Sequence, residues 1–481
     1  MKQDQGETDI PLPEMSDPLP SSRLAPTRWH LWLGGIALLG MAIRIGSVLG
    51  RPNRTPGADG FYYYHAALLL VQGKGFINPF YYLGQYHQPL HTTVQTASWP
   101  PLFVLIMAVP AVLGLKSYLI ARLWLCLIGA LAIVAVGYVG KEISNQRVGL
   151  IAAFLLAIYP NIWMSTEIGL SETITPLLVA LILLSAYRFW KKPELRYAIW
   201  AGAALGISML GRDELALLAV FIFLPLCLMA KPLAWLKRLG LLCAIAGTSL
   251  VIISPWVGYN LVRFHDPVFI SSGLGVTLAS TTCDTTYSGE FVGYWSFECA
   301  LMAPHDTSVD ETVNGSRDQA YAWSYISSHL SELPLVELDR LGRTFGFFRP
   351  FQQIQLDSVI ETRPFGWARV GLFGYYALLA LAIGGTVVLR KRNVLTFPLW
   401  AVGLDVVIST MLTFGDTRFR TSFEVSLVLL TAVSIDWFVA KRRHEEQASL
   451  DSRSDGPKVM ESHETLSQVP NAQMDPGNVG S

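Results

Sequence analysis

The sequence predicts an all-α polytopic membrane protein of about ten transmembrane helices with a small domain outside the bilayer. Hydrophobic residues fill 52% of the 481 positions and charged residues only 15%, against roughly a quarter charged in soluble domains. Apolar runs of near-spanning length recur along the chain, parted by short polar turns. Basic residues crowd into alternate turns. The 36 basic and 36 acidic residues balance, which excludes a nucleic-acid footprint.

Residues 1–28 are polar and rich in proline, and read as a disordered cytoplasmic N-terminus. Trp29–Leu49 is too long for a signal-peptide core and no small-residue cleavage site follows it. It reads as an uncleaved anchor. Further spans are predicted at 118–140, 148–165, 172–189, 197–211, 214–230, 239–255, 368–389, 395–413 and 422–440. The shorter of these suit helices that are tilted or capped by protein. The chain divides into a membrane module at 29–255 with an outer loop at 50–117, an outer loop domain at 256–367, helices at 368–440, and a disordered cytoplasmic tail at 441–481.

The run from Trp99 to Leu115 decides the topology. Prolines 100, 101 and 110 interrupt it, and as a helix it reaches roughly 22 Å, short of a 30 Å hydrocarbon core. If it does not cross, one face of the membrane gathers Lys141, Arg147, Arg188, Lys191, Lys192, Arg196, Lys231, Lys237, Arg238, Arg390, Lys391, Arg392, Lys441, Arg442 and Arg443. The positive-inside rule then puts both termini in the cytoplasm and leaves 99–115 in the outer interface of the plasma membrane. Cys283 and Cys299 fall in the outer loop domain, 16 residues apart. They are predicted to be bonded to each other, because that side is oxidising.

Ionisable residues inside the spans are few. Asp405 is the clearest and Asp436 lies near an inner end; each reads first as a charge paired within the bundle. Polar residues gather instead at the outer ends of the spans. Asp59 and His65 follow the first span, Glu167 and Glu172 bracket one turn, and Arg212 to Glu214 form another. Asn260, Arg263 and His265 follow the span ending near 255, and Asp416, Arg418, Arg420 and Glu424 open the last. Any one alone would read as a solvated loop charge. Five turns at one depth suit a lipid-linked anionic substrate, whose phosphate arginine forks bind bidentately. A nearby carboxylate could then take a proton from an incoming hydroxyl. Tyr62, Tyr63, Trp99 and Trp295 could stack on sugar faces, or could simply form an interfacial aromatic belt.

These residues also resemble a family. Ala58–Gly75 looks like the first-loop acidic motif and juxtamembrane helix of the bacterial GT-C membrane glycosyltransferases, in the branch of protein O-mannosyltransferases and the aminoarabinose transferase of lipid A (PMT/ArnT-like, family 39-like). Trp99-Pro100-Pro101-Leu102, Ser171-Glu172-Thr173, Gly211-Arg212-Asp213-Glu214, Ser254-Pro255-Trp256 with Asn260, and Arg418-Phe419-Arg420 with Glu424 resemble its later elements in order. Trp99 replaces the usual histidine and Tyr259 a usual arginine. Cys283 and Cys299 resemble a paired-cysteine insertion in an actinobacterial subset.

The resemblance implies a GT-C-type bundle with extracytoplasmic juxtamembrane helices. It implies sugar transfer, usually with inversion, from a polyprenyl-phosphate donor to an extracytoplasmic glycan, lipid or protein acceptor. Asp59 maps to the general base and Glu172 to a second acidic residue. Arg212, Arg418 and Arg420, with Arg263, map to the donor phosphate; Glu214, His65, Glu167, Asn260 and Glu424 are further candidates. No Cys/His cluster has metal-ligand spacing, and a divalent ion held by Asp59 and a second carboxylate stays open. A polyprenyl-phosphate-sugar or lipid transporter is the alternative, and it needs a polar path through the bundle. A non-catalytic envelope scaffold is a third reading.

Overall fold

The computed structural model describes residues 26–84, 91–230, 233–306 and 308–454, and among them the fold is helical throughout, with one isolated bridge between Ile77 and Gln95. The first helix, α1 (Pro26–Leu49), is followed by α2 (Ala58–Val71), α3 (Pro79–Leu83) and α4 (Pro101–Val112). At 12 residues α4 is about 18 Å long, well short of a hydrocarbon core.

Next come α5 (Tyr118–Ile143), α6 (Gln146–Ile158) and α7 (Pro160–Ile168). The last two are bent by 49°. Pro160 explains the break, since it cannot continue the hydrogen bonds of α6 and it holds Tyr159 extended. A short 3-10 turn at Ser171–Thr173 leads into α8 (Thr175–Lys191), then α9 (Leu195–Gly211). The stretch from Asp213 to α10 (Leu224–Met229) is an irregular helix with 3-10 and π turns. The long α11 (Trp235–Leu261) packs closely on α9. A Cβ at Gly202 would sit 2.4 Å from the Ile245 carbonyl, so the small-residue spacing Gly202/Gly206 lets the two backbones meet.

The segment between α11 and the next long helix folds as α12 (Leu274–Ala279), α13 (Asp284–Tyr287), α14 (Phe297–Met302), α15 (Glu311–Ser328), α16 (Leu333–Thr344) and α17 (Pro350–Val359). Two helices return through the bundle, α18 (Phe365–Lys391) and α19 (Phe397–Leu412), before α20 (Thr421–Ser454). Each apolar run read from the sequence holds helix, but the runs at 148–165 and 214–230 are broken or irregular, and the expected count of ten spans is not reached by length. By length and composition six helices can cross a membrane, or seven if the bent α6–α7 pair is one span. The protein is thus an all-α polytopic membrane protein, with α4, α9 and α19 as shorter apolar helices.

Residues through Asp436 form one compact unit, and a second begins at Trp437. The expected disordered tail departs from the structure at 441–454, which is helical. Lys441 pairs with Glu445 one turn on at 3.7 Å, and such pairs on good helix formers extend a helix. The rest of that tail, and the N-terminal segment before Pro26, lie outside the described residues.

Candidate active site

Asp59 stands in the first turn of α2, where a carboxylate favours the helix dipole. The helix start lies tight against the end of α7: a Cβ on the neighbouring Gly60 would meet the Ile168 carbonyl at 2.9 Å. From there Asp59 Oδ2 accepts a hydrogen bond of 2.5 Å from Arg418 Nη1. Arg418 rises from the 3-10 turn Thr417–Arg420, capped by Asp416, whose Oδ1 accepts from the Arg418 amide at 3.0 Å. Its Nε lies 3.0 Å from Glu361 Oε1, 3.6 Å from Asp416 Oδ2 and 4.0 Å from Glu172 Oε1. Four chain segments therefore converge on one guanidinium.

Ion pairs extend to both sides of it. Arg212 Nη1 bonds Glu172 Oε1 at 2.8 Å and Ser171 Oγ at 3.1 Å, while its Nε reaches Glu214 Oε1 at 2.6 Å. On the other side Arg363 Nε lies 3.2 Å from Glu361 Oε2, and its Nη1 donates to Thr417 Oγ1 at 3.3 Å. Thr417 donates to Asp357, which also accepts from Gln353. Thr362, between Glu361 and Arg363, has φ 59°, a left-handed conformation costly for a β-branched residue. Arg54 donates to its carbonyl. Burial pushes the Glu361 carboxyl up to about 8, against the pull of Arg418 beside it. Burial likewise raises Asp357, against the pull of Arg363.

The cluster joins Asp59, Glu172, Arg212, Glu214 and Arg418 as the sequence led one to expect. Arg420 turns elsewhere: two positions on along a 3-10 turn is a third of a revolution away. Its Nε bonds Glu424 Oε1 at 2.8 Å, and that oxygen also accepts from Tyr159 and Asn161. Glu167 accepts from Ser47, Arg51 and Arg54. Arg263 bonds Asn260 and the carbonyls of Phe76 and Thr96, with its guanidinium over the Tyr259 ring. His65 packs between the Phe61 and Tyr64 rings, and burial lowers its pKa to about 4. Tyr62 and Tyr63 are buried against Trp99.

Glu361, Arg363 and Asp357 escaped the sequence reading. Glu361 and Arg363 sit in a loop without periodicity and Asp357 near the end of α17, although the acid–base pair just before Pro364 was a usable signal. Cys283 and Cys299 are disulfide-bonded, with Cα atoms 5.5 Å apart. The loop they close carries Tyr294 and Trp295, and Gly415 N donates to Gly293 O at 2.8 Å, tying the loop beside Asp416. Among the described residues, no group of three or more His, Cys, Asp or Glu side chains is arranged to hold a metal ion. The Asp59 carboxylate faces a guanidinium, not a second carboxylate, so a divalent ion on Asp59 does not fit this arrangement. Of the carboxylates inside the spans, Asp436 accepts from Asn145 at 2.9 Å, and Asp405 is buried in α19 with no hydrogen bond among the described residues.

Residues 98–259 match the family model described as dolichyl-phosphate-mannose-protein mannosyltransferase. That segment holds Glu172, Arg212 and Glu214 but not Asp59 or Arg418. No curated protein sequence matches the chain significantly. Among solved structures, the chain is similar to the Archaeoglobus fulgidus oligosaccharyltransferase tethered to an acceptor peptide with the NVT sequon. The TM-score is 0.51 and the identity 18%, over 86% of this chain and 50% of that one. The same organism's AglB, in complex with an inhibitory peptide and a dolichol-phosphate, gives 0.50 and 17%, over 89% and 52%. ArnT from Cupriavidus metallidurans bound to undecaprenyl phosphate gives 0.40 and 14%, over 85% and 78%, and adds no weight. The chain spans about half the length of the oligosaccharyltransferase chains. At such identities these structures establish a shared fold. With the matched segment, they bear out the resemblance to PMT-like GT-C membrane glycosyltransferases.

Proposed function

We propose that this protein is an integral membrane glycosyltransferase that moves a sugar from a polyprenyl-phosphate donor to a hydroxyl of a cell-envelope acceptor. The reaction runs on the extracytoplasmic face of the plasma membrane, with both termini in the cytoplasm, and inverts the anomeric centre. One observation carries the reading: a partly exposed guanidinium, Arg418, is paired to the partly exposed carboxylate of Asp59 at 14% and 25% side-chain exposure.

In the resting pair each charge neutralises the other. A donor phosphate arriving at Arg418, with Arg212 nearby through Glu172, competes for the guanidinium and frees Asp59 to act as base. Asp59 then takes the proton of the acceptor hydroxyl. The oxygen forms its bond to the anomeric carbon as the bond from that carbon to the phosphate oxygen breaks. The arginines offset the charge that develops on the leaving polyprenyl phosphate. Glu361 and Arg363 hold Arg418 in register from behind. The order that follows is donor first, acceptor second.

The transporter alternative needs polar groups through the bundle, and the one buried carboxylate in α19, Asp405, is thin support for such a path. The test replaces Asp59 with Asn in reconstituted membranes supplied with labelled polyprenyl-phosphate sugars. Transfer should fall by about 10²–10⁴-fold with donor binding retained. Transfer at the wild-type rate removes Asp59 as base.

A further inference from the structure

A second concave site lies against the segment between α11 and α18, apart from the charged cluster. Its walls are Asn78, Tyr81 and the stretch 92–98 on one side and the loop at Ser272 with α15 on the other, with His305 at one end. Glu311 joins the walls: its carboxylate accepts from Thr96 Oγ1 at 2.6 Å, Ala97 N at 2.8 Å, Ser98 Oγ at 2.9 Å and from Ser272 Oγ. Asn314 and Asp318 follow Glu311 at helical spacing and so share its face of α15. Asp318 lines the cleft with only 3% of its side chain exposed. Its Oδ1 makes no hydrogen bond, and His305 Nε2 lies 3.4 Å away. A buried carboxylate oxygen left so poorly satisfied is costly unless a ligand brings donors to it.

The lining selects the ligand. Carboxylates at Asp306, Glu311 and Asp318 with hydroxyls at Ser98 and Ser272 favour a molecule dense in O–H donors. Those acids repel phosphates and uronates. Tyr81 adds a ring for a pyranose face.

The cleft also backs onto the helix that bears Asp59. Phe61 stacks on Phe80 at 5.4 Å, next to Tyr81, and the Tyr62 side chain meets Thr96. Asp59 and Tyr62 lie one turn apart, about 5–6 Å between their Cβ atoms.

We propose that this cleft is the acceptor subsite and that it holds an uncharged oligosaccharide, whose terminal hydroxyl extends past the first turn of α2 to Asp59. The proposal rests on the glycosyltransferase reading above and names the acceptor class for it.

The experiment uses the full-length protein in nanodiscs and titrates neutral manno-, galacto- and arabino-oligosaccharides, a uronic-acid oligomer and a Ser/Thr-rich peptide by calorimetry. Labelled undecaprenyl phosphate is titrated in parallel. At least one neutral oligosaccharide should bind. Asp318→Asn should weaken it by about tenfold or more, one decade in Kd, as should Val276→Phe, which fills the cleft from a position 42% exposed. Undecaprenyl phosphate binding should stay unchanged in both variants. Oligosaccharide binding equal in wild type and both variants overturns the proposal. So does the absence of any oligosaccharide binding, or peptide binding that Val276→Phe abolishes. If wild type fails to bind undecaprenyl phosphate while cleft-dependent sugar binding persists, the donor reading falls and the glycan site stands.

Discussion

Two arginines of one short turn meet opposite fates. Arg418 keeps 14% of its side chain exposed and is surrounded by carboxylates from α2, the 171–173 turn, the 360–364 loop and its own cap. Arg420 is 2% exposed, pairs with a single carboxylate that is 1% exposed, and lies over the Tyr375 ring at 4.1 Å. The first guanidinium has several carboxylate partners and an open edge, so on the reading proposed above it exchanges one of them for the donor phosphate. The second is saturated by Glu424, the Thr344 carbonyl and an aromatic face. A shared motif therefore contains one residue free to act and one committed to holding the bundle.

The sharpest way to break that contrast is Arg418→Lys. Losing the planar fork should lower sugar transfer by about 10²–10³-fold, with the unfolding temperature in detergent little changed. Arg420→Ala should do the reverse. Stranding Glu424 in the bundle costs about 3–5 kcal/mol, read as lost folded protein by fluorescence-detected size exclusion, while the surviving molecules keep near-normal specific activity.

Replacing Cys283 and Cys299 together by Ser releases a 16-residue separation and should cost about 3 kcal/mol of stability. A thermal-shift assay with and without reductant checks it. The smallest effect sharpens the picture around Arg418 itself. Glu361 is protonated below about 8 and ionised above it, so rising pH adds a negative charge beside the guanidinium. Affinity for labelled undecaprenyl phosphate should then fall several-fold between pH 7 and 9 (about one added unit charge at short range), and Glu361→Gln should flatten that decline.

Much of the helical architecture was legible because apolar runs announce themselves whatever their partners. What composition could not convey was completion: Leu195–Gly211 and Phe397–Leu412 are apolar yet short, and Asp213 to Met229 is irregular. In the cluster, Asp59, Glu172, Arg212 and Arg418 were legible from the common level of their turns. Direction around the turn was not, which is why Arg420 and Arg263 fall away. Arg263 sits at the end of α11 and is consumed by neighbouring carbonyls that only tertiary packing brings near. Glu361 and Arg363 lie in a loop whose Thr362 adopts a conformation no pattern announces.

The bond between Asp59 and Arg418 links positions 359 residues apart. One partner leaves the ribosome soon after the first anchor, and the other only when the last span is being made. A nascent polypeptide still being threaded into the lipid therefore carries half of the pair and none of its partnership. Truncation anywhere before the final hairpin leaves Asp59 without the guanidinium it faces in the folded chain.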